Sequence, residues 1–222
     1  MSQTEELLER LRDFPKTYFF RNDVKKFYSG KEGNLPVVLN RLVKKKKIIR
    51  LMRNLYALNM ATLDWEMLAS ELVKPAYISL EYALWRYGLI TEIPARITLV
   101  TTGKSRTYTF PGNVFEYVHV NPTRFFGYTL EKNTLLAEKE KTFLDELYLI
   151  SLRKRSFNLK NINLSLLNKK LLKKWVQKYP AFTEKLLRKI LNEDKEKMDS
   201  RLKHAETTYL FVPPGITGET LS

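Results

Sequence analysis

The sequence predicts a mixed α/β protein in two parts, residues 1–60 and residues 61–222. Three observations support this prediction. Apolar residues recur at helical spacing through residues 2–47 and again from residue 137 onward. Short apolar runs bounded by glycine, proline or asparagine follow one another between residues 97 and 130, as is typical of strands. An apolar fraction of 44% in 222 residues is sufficient for a folded core.

Three short helices are predicted in the first part. Ser2 and Glu5 have the spacing of a capping box at the start of the first helix. The second helix covers residues 23–28 and ends at a polar, glycine-containing stretch. The third follows Asn34, a candidate cap, and carries Pro36 in its first turn, where a missing amide hydrogen costs nothing.

The third helix has one apolar and one cationic face. At about 100° per residue, Val38 and Leu42 lie on the packing side, whereas the basic residues cluster on the other side. Two short strands, residues 48–51 and 55–58, follow around a turn in which Asn54 tolerates a left-handed backbone. Three helices and a β-hairpin are the element order of a winged helix-turn-helix.

This order predicts that the third helix enters the major groove of duplex DNA. By donor and acceptor geometry Arg41 suits guanine and Asn40 suits adenine, while Lys44 suits phosphate. Arg53 at the hairpin tip would reach a phosphate or the minor groove. The alternatives are a helical domain whose lysines only keep it soluble and a winged helix that contacts protein. The predicted DNA-binding residues are Asn40, Arg41, Lys44, Lys45, Lys47, Arg50 and Arg53.

Positive charge is concentrated at the two ends of the chain. Residues 1–58 carry a net charge of +8, residues 59–150 carry −2 and residues 151–222 carry +9, which together give the overall +15. Such a distribution favours a polyanionic partner, most commonly nucleic acid, that is contacted by one or two surfaces.

The composition disfavours several other classes of protein. The chain has no cysteine, and its two histidines, His119 and His204, are far apart, so we expect no metal and no cofactor. No apolar stretch is long enough to span a bilayer and the N-terminus lacks a signal-peptide core, so we expect a cytoplasmic protein with no membrane partner. No catalytic constellation is recognisable, so we expect no enzyme.

The middle of the chain predicts alternating helices and strands. Ser79 and Gly88 suit the two ends of a short helix. The Gly-Lys-Ser triplet at residues 103–105 lacks the upstream glycine of a phosphate-binding loop, and we interpret it as a hairpin turn. The predicted elements are helices over residues 64–73 and 80–87, strands over 97–102, 106–110 and 114–120, an extended segment over 125–130 and a helix from 137 onward.

Two further features lie near and beyond that last helix. Its carboxylates, Glu138, Glu140, Asp145 and Glu146, are interpreted as residues that favour a helix N-terminus. Two more helices are predicted over residues 163–179 and 181–201, separated near Pro180. The first of them carries a basic cluster that is a possible auxiliary DNA-binding or antitoxin surface, formed by Lys169, Lys170, Lys173 and Lys174.

Four segments that follow one another between residues 1 and about 150 carry a family resemblance. They are Leu39–Leu42 with Ile49–Leu51 and Asn54–Leu58, Tyr77–Ser79 with Ala83–Leu84 and Gly88–Leu89, Val100–Thr101, and Glu140–Asp145. In this order they resemble the AbiEi antitoxins of abortive-infection and type IV toxin–antitoxin systems. The family usually has glycine where Met52 or Asn54 stands and where Lys47 stands.

The resemblance implies a DNA-binding antitoxin that represses its own operon at inverted repeats. It also implies an α/β antitoxin domain after the winged helix-turn-helix, and a nucleotidyltransferase-like toxin that is countered without a stable complex. A generic winged-helix regulator and, further off, a nucleic-acid-processing enzyme are the alternatives.

Overall fold

The structure is a computed structural model that describes the backbone of residues 3–209 and the side chains of residues 3–196 and 200. The cap predicted at Ser2 and the side chain of His204 lie outside these residues. The described chain is mixed α/β, which confirms the predicted fold class. Its α-helices are α1 (Gln3–Arg12), α2 (Arg21–Lys25), α3 (Leu35–Lys44), α4 (Trp65–Leu72), α5 (Leu80–Arg86), α6 (Lys139–Ser151), α7 (Lys169–Trp175) and α8 (Ala181–Tyr209). Its strands are β1 (Tyr18–Phe20), β2 (Ile49–Met52), β3 (Leu55–Ala57), β4 (Ala76–Ile78), β5 (Ile97–Thr101), β6 (Arg106–Phe110), β7 (Asn113–His119), β8 (Tyr128–Glu131) and β9 (Thr134–Ala137).

A small antiparallel sheet joins the first three helices to the rest of the protein. Its strand order is β1-β3-β2, so the predicted hairpin is present and a strand that the sequence did not predict lies beside it. Alternate residues of β3 point to opposite faces, as the pleat requires. Tyr56 packs among α1, α2 and α3, whereas Leu55 and Ala57 pack toward α4.

Hydrogen bonds also link the two predicted parts of the chain, whose boundary falls in the connection between β3 and α4. The phenol of Tyr18 donates to Glu71 at 2.7 Å, and Lys16 contacts the same carboxylate at 2.5 Å. The backbone N–H of Asp64 donates to the hydroxyl of Thr17 at 2.9 Å. The small sheet is therefore packed against α4 on one face and against the N-terminal helices on the other.

The larger sheet has six strands in the order β6-β7-β5-β4-β9-β8. The pairs β5–β7 and β4–β9 are parallel and the others are antiparallel. Residues 102–105 connect β5 to β6, but β7 lies between these two strands, so the hairpin predicted there is wrong. Alternate residues enter separate cores, with Val100 on the α6 side and Leu99 on the α4 side. The middle strands are thus covered on both faces.

Helix α3 begins and ends as its local sequence dictates, with one exception. Pro36 occupies its first turn and Asn34 stands at the N-cap as predicted, but the side chain of Asn34 makes no capping hydrogen bond. At the other end, the N–H of Lys46 donates to Val43 and that of Lys47 donates to Leu42. Lys46 has a φ of 55°, which is the left-handed position that glycine usually fills at a helix C-terminus.

The helix predicted over residues 163–179 is wrong. This segment contains a 3₁₀ turn at Leu164–Leu166, then α7, then a second 3₁₀ turn. Asn163 accepts from the N–H of Ser165, and Asn168 accepts from the first amides of α7. Asparagine side chains compete for backbone donors in this way and interrupt a helix. Among residues 3–209, no helix is both long and apolar enough to cross a membrane.

Candidate nucleic-acid interface

Helix α3 presents a polar face to solvent. Val38, Leu39 and Leu42 are buried against the other N-terminal helices. Asn40 and Arg41, by contrast, are exposed, as are Lys44 one turn later and Val37, which is 49% exposed. The helical periodicity therefore separates a packing face from a surface that can contact a partner.

The remaining predicted cations lie beside that face. Lys45 and Lys47 are exposed in the tight turn that follows α3. Arg53 is exposed in the turn between β2 and β3, where Asn54 adopts the predicted left-handed backbone with a φ of 63°. A hydrogen bond from Arg50 of β2 to Asn40 brings the hairpin beside α3, and we call the exposed polar residues of helix, turn and hairpin the α3–hairpin face. It contains Asn40, Arg41, Lys44, Lys45, Lys46, Lys47, Arg50 and Arg53.

Asn40 and Arg50 contact each other across this surface. Nη2 of Arg50 donates to Oδ1 of Asn40 at 2.7 Å and to the phenol oxygen of Tyr56 at 3.2 Å. The guanidinium carbon lies 5.5 Å from the centroid of the Tyr56 ring, within cation–π range. Tyr56 is buried, so it anchors Arg50 to the small sheet.

The other cations of this face have no carboxylate partner in the part of the chain whose side chains the structure describes. None of the ion pairs among the described side chains includes Arg41, Lys44 or Arg53, and the same holds for Lys45 and Lys47. Exposed cations without internal partners produce a local positive potential that attracts a polyanion.

The predicted C-terminal lysine cluster is divided by the structure. Lys169 is half-buried and lies 2.9 Å from Asp194 of α8, so it is already paired. Lys170, Lys173 and Lys174 are exposed on α7. These three form a smaller cationic patch on α7, which packs against α6 rather than in the N-terminal part of the chain.

The four carboxylates that were interpreted as favouring a helix N-terminus divide into two pairs. Glu138 is the N-cap residue of α6 and Glu140 lies in its first turn, as that interpretation requires, whereas Asp145 and Glu146 lie further along the helix. Asp145 is completely buried and accepts from Tyr77 and Ser79, each at 2.9 Å, and from Tyr179 at 3.0 Å. It also pairs with Lys141, whose side chain is equally buried and donates to Tyr77 at 2.8 Å. The interpretation is wrong for Asp145 because these partners come from distant parts of the chain.

We call these five residues the α6 network. Burial, together with the Asp145 charge, raises the pKa of Tyr77 and of Tyr179 well above the usual range. Burial lowers the pKa of Lys141, against the attraction of Asp145. Ser79 precedes α5 but makes no capping hydrogen bond, since its hydroxyl is committed to Asp145.

A second charged cluster surrounds Arg155. Its guanidinium pairs with Glu81 of α5, lies 3.3 Å from Glu116 of β7 and lies 3.4 Å from Glu146 of α6. Glu146 is fully buried and neither of its oxygens accepts a hydrogen bond. Burial, opposed by Arg155, raises the pKa of Glu146 to about 7. The interpretation of Glu146 as a residue at a helix N-terminus is therefore wrong.

This cluster forms one wall of an open cleft of about 570 Å³, which is the size of a small-molecule site. Ile90, Ile93 and Phe157 supply apolar surface on its other walls. Sequence reasoning missed the cleft because its walls come from four separate segments. Within the described residues no group of three or more histidine, cysteine, aspartate or glutamate side chains could hold a metal ion.

Comparisons with known proteins give a fold relationship. No protein-family model matches the chain, and no curated protein matches it. The fold is similar to that in the crystal structure of the RV2827C protein from Mycobacterium tuberculosis, with a TM-score of 0.55 and 13% sequence identity. The match covers 82% of this chain and 73% of the mycobacterial chain. The mixed α/β fold of the present protein thus also occurs in that mycobacterial protein.

Proposed function

We propose that the protein binds duplex operator DNA through the α3–hairpin face and represses transcription. The observation that carries this proposal is the set of exposed cations on one helix and the adjacent hairpin that have no ion-pair partner among the described side chains. A helix of ordinary diameter fits the major groove, and cations beside it can neutralise phosphates on either side. In this arrangement α3 reads bases and Arg53 contacts the backbone or the minor groove.

We further propose that the protein is an autorepressing antitoxin of a type IV toxin–antitoxin operon. This part rests on the resemblance to the AbiEi antitoxins. Two of the resembling segments, Tyr77–Ser79 and Glu140–Asp145, meet in the α6 network, and this supports a common structural role for them. The functional partner would be a nucleotidyltransferase-like toxin that is countered without a stable complex. The protein would act in the cytoplasm and carry out no catalysis itself.

The lysines of α7 are proposed as an auxiliary DNA contact. Lys170, Lys173 and Lys174 are exposed, and they are separated by one to four positions on a single short helix. Lys169 contributes less because Asp194 neutralises it.

The proposal is tested by measuring binding to duplex DNA at several salt concentrations. Because phosphate contacts release counterions, the logarithm of affinity should fall linearly with the logarithm of salt concentration, with a slope of about −0.9 per contact. A duplex carrying the inverted repeats upstream of the gene should bind more tightly than a random duplex of equal length. Equal affinity for the two duplexes at every salt concentration would contradict operator recognition.

A ligand-responsive winged-helix regulator is the second candidate. The observation that favours it is the cleft beside Arg155. Ala95 lies exposed on the wall of this cleft, so Ala95→Trp should fill part of it. If a metabolite extract shifts operator affinity of the wild type and not of this variant, the regulator is favoured over a constitutive repressor.

A further inference from the structure

The contact between Arg50 and Asn40 fixes which end of the Asn40 amide faces outward. A guanidinium group carries only hydrogen-bond donors, so its partner atom on Asn40 must be the carbonyl oxygen. The 2.7 Å contact from Nη2 of Arg50 therefore orients Oδ1 of Asn40 toward β2. The other end of the amide, its NH₂ group, is directed away from Arg50. Asn40 is exposed, so this donor end is available to a partner.

The same contact limits the hydrogen bonds that Arg50 can donate to a base. Its Nη2 donates to Asn40 and also to Tyr56, so both hydrogens of that nitrogen are used. A bidentate contact with a base requires two neighbouring donors of the guanidinium fork, and Nη2 belongs to both edges that supply such a pair. Arg50 is thus held as a support for Asn40, with Nη1 and Nε left for single contacts.

We infer that Asn40 selects guanine and that Arg50 is the residue that positions it. This inference rests on the proposed DNA-binding function and replaces the sequence-based expectation that Asn40 reads adenine. In the major groove guanine presents two acceptors, N7 and O6, whereas adenine presents the acceptor N7 beside the donor N6 amino group. An outward NH₂ group matches the guanine edge, and it opposes the amino group of adenine.

Tyr56 and the backbone of α3 hold Arg50 and Asn40 in contact. Tyr56 is buried and holds Arg50 through its hydroxyl and its ring. Asn40 itself is on the second turn of α3, where the helical backbone fixes its Cα. Because both partners are anchored before DNA arrives, the orientation of the amide is set in the free protein, and little freedom is lost on binding.

The experiment is selection of bound sequences from a library of duplexes with a randomised core, carried out with the full chain. Asn40→Ala first identifies the base position that Asn40 reads, because that position loses its preference. At this position the wild type should prefer guanine to adenine by about tenfold or more. Arg50→Met should reduce that ratio to about one, since the amide is then able to turn its oxygen outward.

Two matched variants separate positioning from charge. Arg53→Met removes the same charge from the hairpin but does not touch Asn40, so it should weaken binding to all sequences and leave the motif unchanged. Arg50→Lys keeps a donor at the same place and should retain the guanine preference. The thermal melting temperature of each variant shows that it is folded.

The outcomes distinguish the inference from the function on which it rests. A wild-type protein that enriches no motif would overturn the proposed function. A wild-type motif with adenine at the Asn40 position would overturn the inference alone. So would an unchanged guanine preference in Arg50→Met, or a motif that Asn40→Ala does not alter.

Discussion

The α3–hairpin face and the α6 network both concentrate charge, but they do so in opposite environments. On the former, Arg41 and Lys44 are exposed and have no carboxylate partner among the described residues. In the latter, Lys141 and Asp145 are completely buried and paired with each other. Exposed charges contribute little to stability, whereas a buried charge that loses its partner is strongly destabilising.

Under the proposed function, charge serves DNA binding in the α3–hairpin face, whereas in the α6 network it serves the folded structure. The two functions can therefore be changed separately by mutation. Variants of the buried charges should alter the free energy of unfolding most, and variants of the exposed cations should alter DNA affinity by smaller free energies.

Asp145→Ala should have the largest effect, because it leaves Lys141 buried without a counter-charge. It also removes the acceptor used by Tyr77, Ser79 and Tyr179. We expect the free energy of unfolding to fall by about 3–5 kcal/mol, measured by urea denaturation. Glu193→Ala, which removes an exposed partner of Lys189, is the matched control and should cost less than about 0.5 kcal/mol. Equal losses in the two variants would contradict the distinction.

Glu146→Gln should stabilise the protein at alkaline pH and change little in acid. The folded-state pKa of Glu146 is raised to about 7, so between pH 4.5 and pH 7 the folded state holds more protons than the unfolded state. Its contribution to stability therefore falls as the pH rises through this window. Glutamine resembles the protonated form at every pH, and we expect a gain of roughly 3 kcal/mol at pH 8. A difference between variant and wild type that is independent of pH would contradict this account.

The double variant Arg41→Glu, Lys44→Glu should lower affinity for operator DNA about 100-fold, which corresponds to about 3 kcal/mol of binding free energy. Its free energy of unfolding should change by less than about 0.5 kcal/mol because both side chains are exposed. The control variant Lys104→Glu, Lys132→Glu reverses two exposed cations of the middle region. If both double variants weaken binding alike, overall charge rather than the α3–hairpin face explains the affinity.

Charge reversal of Lys170, Lys173 and Lys174 should have the smallest effect, about tenfold in affinity. The salt slope should become shallower by up to about 2.7, because each phosphate that is no longer neutralised accounts for about 0.9. Lys169 is left unchanged in this variant, because it pairs with Asp194 and its reversal would place two carboxylates side by side. An unchanged affinity and salt slope would remove α7 from the DNA-binding surface.

Local sequence signals predicted the elements whose stability is local. Apolar spacing located α3, and the φ of Asn54 follows from the tolerance of asparagine for the left-handed region. The same reasoning did not find β1, because three residues between two helices carry no alternation long enough to recognise. The positive φ of Lys46 was also missed. Glycine usually fills such a position, and a lysine in the sequence does not indicate a left-handed backbone.

The features that could not be predicted from the sequence depend on contacts between residues that are distant in the chain. Asp145 had the appearance of a residue near a helix N-terminus, and its partner Tyr77 is 68 positions away in the chain. The Lys141–Asp145 spacing of four residues was visible, but such a pair is ordinarily an exposed one. Likewise, the contact of Arg50 with Asn40 depends on how β2 returns beside α3, which periodicity alone does not specify.

Strand β3 has a consequence for how the protein would meet the operator DNA proposed above. Because its alternate residues belong to the core of the N-terminal helices and to the core around α4, the small sheet is a shared wall between them. The α3–hairpin face is therefore not suspended on a flexible tether. Binding to DNA would therefore not have to restrict a flexible linker. A displacement of α4 would also tilt the α3–hairpin face. In the proposed complex, the position of the α3–hairpin face on DNA would thus be set by the packing of α4 against the small sheet.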